Sequence, residues 1–102
     1  MREYTDEEVR NYAESAADIF VEKYGKGLDE EQRAKFRAEI YPIAMREALE
    51  TREAAAPYGV YSTTADDECL RVWHRSFRDM SAVAAKYGID TGFEKISKNW
   101  QF

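Results

Sequence analysis

The stretch DEEQRAKFRAEIYPIAMREALETREAA, residues 29–55, decides how this chain folds. Asp29 stands where a helix wants its cap, and Gln32, three places on, completes a capping box. Phe36, Ile40, Ile43 and Ala44 then recur at the spacing of one helical face. Pro42 interrupts that face and removes the bond its missing N–H would have made to the carbonyl of Ala38, so the spacing predicts a helix kinked at Pro42. Beyond the proline a second ridge, Tyr41, Met45 and Leu49, points about a third of a turn away from the first. A helix with apolar surface on two sides belongs between two neighbours. Asp29–Ala55 therefore reads as the centre of a helical bundle.

The neighbours are legible on either side. Upstream, Thr5 and Glu8 form a second capping box, Tyr4 can staple onto Val9, and Asp6, Glu7 and Glu8 suit the positive end of a helix dipole. Val9, Tyr12, Ala13, Ala16, Ile19, Phe20 and Tyr24 make its apolar stripe, and Lys23-Tyr24-Gly25 reads as its end, with Gly25 free to turn left-handed. Downstream, Pro57-Tyr58-Gly59 stops the central helix and residues 60–63 read as loop. A third helix begins at Thr64, with Cys69, Leu70, Trp73, Phe77, Met80, Ala84 and Tyr87 as its stripe. It ends at Lys86-Tyr87-Gly88, where Ile89 can supply the apolar contact of a Schellman motif. Thr91 and Glu94 suit a capping box for a short fourth helix carrying Phe93, Ile96 and Trp100. The expectation is an all-α fold: one compact bundle of three main helices and a short C-terminal one, a single helical domain over residues 1–102.

Composition narrows the function classes. A chain of 102 residues is too short for a doubly wound nucleotide-binding fold or an eight-stranded α/β barrel. One cysteine excludes an internal disulfide framework and any multi-cysteine metal site. No apolar run approaches the roughly 18 residues of a membrane span, and the first residues lack the apolar core of a signal peptide, so a cytoplasmic protein is expected. The net charge of −5 argues against sequence-independent nucleic-acid binding through a basic surface. That charge is unevenly spread: residues 1–31 hold ten acids and four bases, whereas residues 32–102 hold ten acids and eleven bases.

A search for catalytic chemistry finds little. The five glycines form no phosphate-binding loop, and Gly25-Lys26-Gly27 joins two helices without following a strand. His74 is the only histidine, too few for the usual imidazole metal site, and it lies about 140° round the helix from Cys69, so the two would not meet. Cys69 falls on the apolar stripe as a small hydrophobe. Asp66-Asp67-Glu68 opens a helix and serves its dipole. No enzyme, cofactor or metal is expected.

Charge patterning says more. Glu14, Asp18 and Glu22 follow at i, i+4 and i+8 on the first helix, and Arg71, His74, Arg75 and Arg78 form a basic ridge on the third. Helical-wheel geometry turns both ridges well away from their own apolar stripes, so they face outward and do not neutralise each other within one monomer. Two faces of opposite sign suit contact with another protein, including a nucleic-acid-binding complex, or with a second copy in a homo-oligomer. Tyr58 and Tyr61 precede the helix bearing Arg71 and Arg75, and tyrosine with arginine can also hold a stacked, phosphorylated ligand.

The expected function is thus a non-enzymatic interaction module: an acidic helical protein that binds and modulates or inhibits a macromolecular partner. In length and charge it is compatible with small phage-type proteins that block host defence complexes, anti-CRISPR inhibitors among them, where an acidic ridge occupies a basic nucleic-acid channel. The alternatives are a nucleotide or phosphate binder using the Arg/Tyr surface, and a structural oligomerisation module. Trp100 and Phe102 read either as packed on the bundle or as a docking tail.

Overall fold

The computed structural model describes residues 4–57 and 63–98, with the side chains of residues 63–66 left aside. Four helices follow in order: α1 (Asp6–Tyr24), α2 (Glu30–Ala55), α3 (Thr63–Lys86) and α4 (Phe93–Ser97). The fold is all-α, as the periodicity predicts, with α2 packed between α1 and α3. The array is flattened, 44 × 33 × 15 Å along its principal axes. Pro42 sits exposed within α2 and does not end it.

Two of the three predicted capping boxes form, those of α1 and α2. The Thr5 hydroxyl accepts from the Glu8 N–H while Glu8 accepts from the Thr5 N–H, each at 3.1 Å. Asp29 and Gln32 do the same at 2.8 and 3.4 Å. The turn between α1 and α2 is then latched by Arg33, whose guanidinium donates to the carbonyls of Gly25 at 3.2 Å and Leu28 at 3.1 Å. Gly25 caps α1 and Leu28 precedes the cap of α2, so one side chain of α2 ties together both ends of the turn.

The two Lys-Tyr-Gly ends, alike in sequence, close differently. At α3, Gly88 is left-handed (φ 76°), its N–H bonds the Ala85 carbonyl, and the Ile89 N–H bonds the Ala84 carbonyl at 3.0 Å. That pair of bonds is the Schellman motif, with Ile89 packed against the core. At α1, Gly25 has φ −93°, so the left-handed turn expected there does not occur. Gly25 is needed for space instead: a Cβ there would stand 2.6 Å from the Val21 carbonyl oxygen and 3.4 Å from the Phe36 ring. The box expected at α4 is also replaced. Gly92 caps the helix in a left-handed conformation, and Thr91 bonds Ser81 at 2.6 Å, tying the α3–α4 turn back onto α3.

The core runs through Val9, Ala13, Ala17, Phe20 and Val21 of α1, Phe36, Ile40, Ala44 and Ala48 of α2, and Met80 and Ala84 of α3. Alanines at positions 13, 17, 44 and 48 let α1 and α2 approach closely. At the Gly25 end the space is filled by rings: Phe20 lies 5.9 Å from Phe36 and 6.3 Å from Phe77, and Phe36 lies 5.1 Å from Tyr87. Phe93 extends this cluster onto α4, 5.7 Å from Phe77. Cys69 is buried, in keeping with its place on the stripe.

Two parts of the predicted stripes turn outward. Ile19 is 65% exposed, because α1 meets α2 through Ala13, Ala17 and Val21, a face rotated away from Ile19. Leu49, on the expected second ridge of α2, is 39% exposed. The buried line of that half-helix runs instead through Glu47, Ala48, Thr51 and Ala55.

Candidate functional site

The rotation of α1 brings its acidic ridge to the edge of the α1–α2 contact. Glu14, Asp18 and Glu22 are all exposed. Asp18 accepts from Arg37 Nε of α2 at 2.8 Å. No bond or ion pair joins Glu14 or Glu22 to another described residue. Asp18 and Glu22 also border a cleft of about 560 Å³ between the end of α1 and the start of α2, with Val21 and Ala34 in its lining and Lys26 and Arg37 at its sides. The ridge is therefore an open acidic edge beside a shallow depression.

The basic residues of α3 are differently placed. Arg71 reaches Glu68 at 3.0 Å, Arg78 reaches Asp79 at 3.2 Å, and Arg75 pairs with Glu50 of α2. His74 is half-buried rather than on an outward ridge: its ring lies 5.2 Å from Phe93, and its Nε2 is 3.2 Å from the Ser97 hydroxyl of α4. The wheel geometry turns both ridges outward, away from each other; in the structure α2 meets one residue of each, Arg37 at Asp18 and Glu50 at Arg75. An anionic ligand at Arg71, Arg75 and Arg78 would have to compete with three carboxylates of the same chain. Tyr58, Tyr61, Trp100 and Phe102 lie outside the described residues.

A second feature escaped the search for charged faces. Glu47 is only 9% exposed, and it lies among Tyr12 of α1, Thr51 of α2, and Trp73 and Ser76 of α3. The Trp73 indole N–H donates to Thr51 Oγ1 at 3.2 Å, and Tyr12 lies beside the Glu47 carboxyl. Ser76 Oγ is buried close enough to support the carboxylate but makes no hydrogen bond of normal geometry. Burial pushes the Glu47 carboxyl above its ordinary value, against the opposing pull of Tyr12, Ser76 and the Arg46 charge. Burial likewise raises Tyr12, and the neighbouring Glu47 adds to it. One carboxyl of the middle helix is thus buried next to polar groups of both neighbouring helices.

Nearby, Arg46 ties α2 to α3 through Asp79. Burial alone would raise Asp79, but hydrogen bonds from Arg46 and Arg78 hold it below the usual carboxylate value. At the other end Glu39 of α2 accepts from Lys86 of α3 and from Tyr87 just beyond it, which lowers Glu39 and raises Tyr87. On the α1 side Arg52 binds Asp6 at 2.6 Å and lowers its carboxyl.

Glu47 carried a signal in the sequence. It follows Phe36 by eleven residues and Ile40 by seven, so it stands on the same line of the helix. Among the described residues, no group of three or more His, Cys, Asp or Glu is placed to hold a metal ion, and no helix is long and apolar enough to cross a membrane. No protein family, curated protein or solved structure matches the chain.

Proposed function

We propose that this protein is a non-enzymatic interaction module that engages a basic surface of a macromolecular partner through the acidic edge of α1. One observation carries the reading: the chain supplies carboxylates to Arg71, Arg75 and Arg78, but leaves Glu14 and Glu22 unanswered among the described residues. The charge left over for a partner is acidic. An exposed line of like charges adds nothing to the stability of α1 and steers association with a cationic surface, most strongly at low salt. A cytoplasmic nucleic-acid-binding complex with a basic channel, as in phage-type inhibition of host defence, is the class of target such an edge suits.

The test is charge reversal at Glu14, Asp18 and Glu22 together, in the full chain, compared with wild type by capture from host lysate at low and high salt. Loss of the captured partner by the variant, with an unchanged helical circular-dichroism spectrum and melt, is expected. The same partner held with the same affinity and no salt dependence overturns the reading. Light scattering of the free protein separates this from self-association, which would place the multimer itself at the centre of the function.

A further inference from the structure

Between α1 and α3 a pocket of about 290 Å³ opens beside the aromatic cluster, on the face away from the acidic edge. Phe20 and Tyr24 of α1 and Phe77 of α3 line it, and Glu47 of α2 is the one acidic residue of its lining. The three rings form a triangle, with centroids 4.7 Å apart for Phe20 and Tyr24, 6.3 Å for Phe20 and Phe77, and 6.4 Å for Tyr24 and Phe77. The exposed Ile19 stands at the rim. Lys23 also borders the pocket and already sets its ammonium 5.3 Å from the centre of the Tyr24 ring.

Each part points to the same guest. Ring faces carry negative electrostatic potential and attract a cation within about 6 Å. A carboxyl group in an apolar setting gains from a cation brought next to it, because the cation offsets the cost of burying its charge. The aliphatic and aromatic walls suit a short alkyl stem. Lys23 shows the chemistry at the mouth with a tethered ammonium of the chain's own. We propose that this pocket binds the ammonium end of an aliphatic amine, with the alkyl part against Ile19, Phe20 and Phe77 and the charge shared between the ring faces and Glu47. A free alkylamine and a lysine side chain of another protein present this same group. The pocket's chemistry is independent of the acidic edge of α1.

The experiment is a titration of the full-length, isotopically labelled protein with n-butylammonium chloride, followed by amide chemical shifts. n-Butanol serves as the neutral isostere, and Nα-acetyl-lysine methylamide as the side-chain mimic. Saturable shifts at Ile19, Lys23 and Phe77 are expected, with butanol weaker by about tenfold or more, the size of a lost charge-assisted contact. Glu47→Gln should weaken butylammonium by a similar factor. Lys23→Met, a change at an exposed position, should strengthen it by removing the competing cation. Binding of the lysine mimic as tightly as butylammonium assigns the site to a side chain; binding of butylammonium alone assigns it to a free amine. Absence of saturable shifts, butanol binding as well as butylammonium, or weaker amine binding by Lys23→Met overturns the proposal. The last two arms decide it even if Glu47→Gln does not fold.

Discussion

The two halves of α2 are built on opposite principles. Its first half buries Phe36, Ile40 and Ala44 completely, each at 0% exposure, against rings and alanines of both neighbours. Its second half buries Glu47 and Thr51 on the same line, with Tyr12 beside the carboxyl and the Trp73 indole bonded to Thr51. An apolar half is held by packing and tolerates no loss of volume. A polar half is held by directed bonds, and its carboxyl suffers from its own burial. One helix therefore supplies rigidity at one end and a protonation-sensitive junction at the other.

The sharpest way to break this contrast is at the apolar end. Phe36→Ala removes a fully buried ring in contact with Phe20 and Tyr87 and is expected to cost about 3–5 kcal/mol, a large part of the stability of a domain this size. Chemical denaturation would measure it. A loss below about 1 kcal/mol would mean that the ring cluster collapses around the gap and is not the anchor inferred here.

At the polar end the expected effect is a change of pH profile. The folded-state pKa of Glu47 is raised above its ordinary value of 4.5, so over the window between the two the folded protein holds a proton there that the unfolded chain releases. Between the unfolded and folded pKa values stability therefore falls as pH rises. Asp6, Glu39 and Asp79 are lowered, so their contribution is full above their unfolded values and fades as pH falls through the folded ones. The acid limb is complete above the ordinary carboxyl values and the descending one begins above 4.5, so the two meet in the acid range. Glu47→Gln should flatten the descending limb above pH 4.5 and leave the acid limb in place. Melts of both proteins across pH 3–8 test this, and parallel profiles would show that Glu47 does not set the descent.

A smaller effect belongs to Trp73→Phe, which keeps an aromatic body on α3 and deletes the donor to Thr51. About 0.5–1.5 kcal/mol should be lost, as for one buried hydrogen bond. In Thr51→Val the indole N–H loses the same partner, so the double variant should lose less than the sum of the singles. Additive losses would mean that the two groups do not act as a pair.

The contrast also marks where reading the sequence succeeds. The caps of α1 and α2, the end of α3 and the Phe36–Ile40–Ala44 line depend on local chemistry and on a period of 3.6, both visible in a string of residues. The ridges of charge were visible too, but not their partners: Glu50 reaches Arg75, and Arg37 reaches Asp18, only once the interhelical rotation is known. Gly25 misled for a similar reason, since its role is set by the approach of Val21 and Phe36 and not by backbone handedness. Glu47 is a charged residue on an apolar line: residue type alone points to the surface, and its position places it inside.

Leu49 is where residue type and position can be set against each other with the least disturbance. By type it belongs to a packed ridge with Tyr41 and Met45; by position it lies opposite the buried line through Glu47 and Thr51, and it is 39% exposed. If type governed, Leu49→Gln would bury an amide without partners and cost about 2 kcal/mol or more. Because position governs, the cost should stay within about 0.5 kcal/mol, as for a surface substitution. Ile40→Val, one methylene removed on the buried line, should cost more than this, about 0.5–1.5 kcal/mol. Reversal of that order in paired denaturation curves would move the buried face of the second half of α2 back toward Leu49, and with it the place of Glu47 at the junction of the three helices.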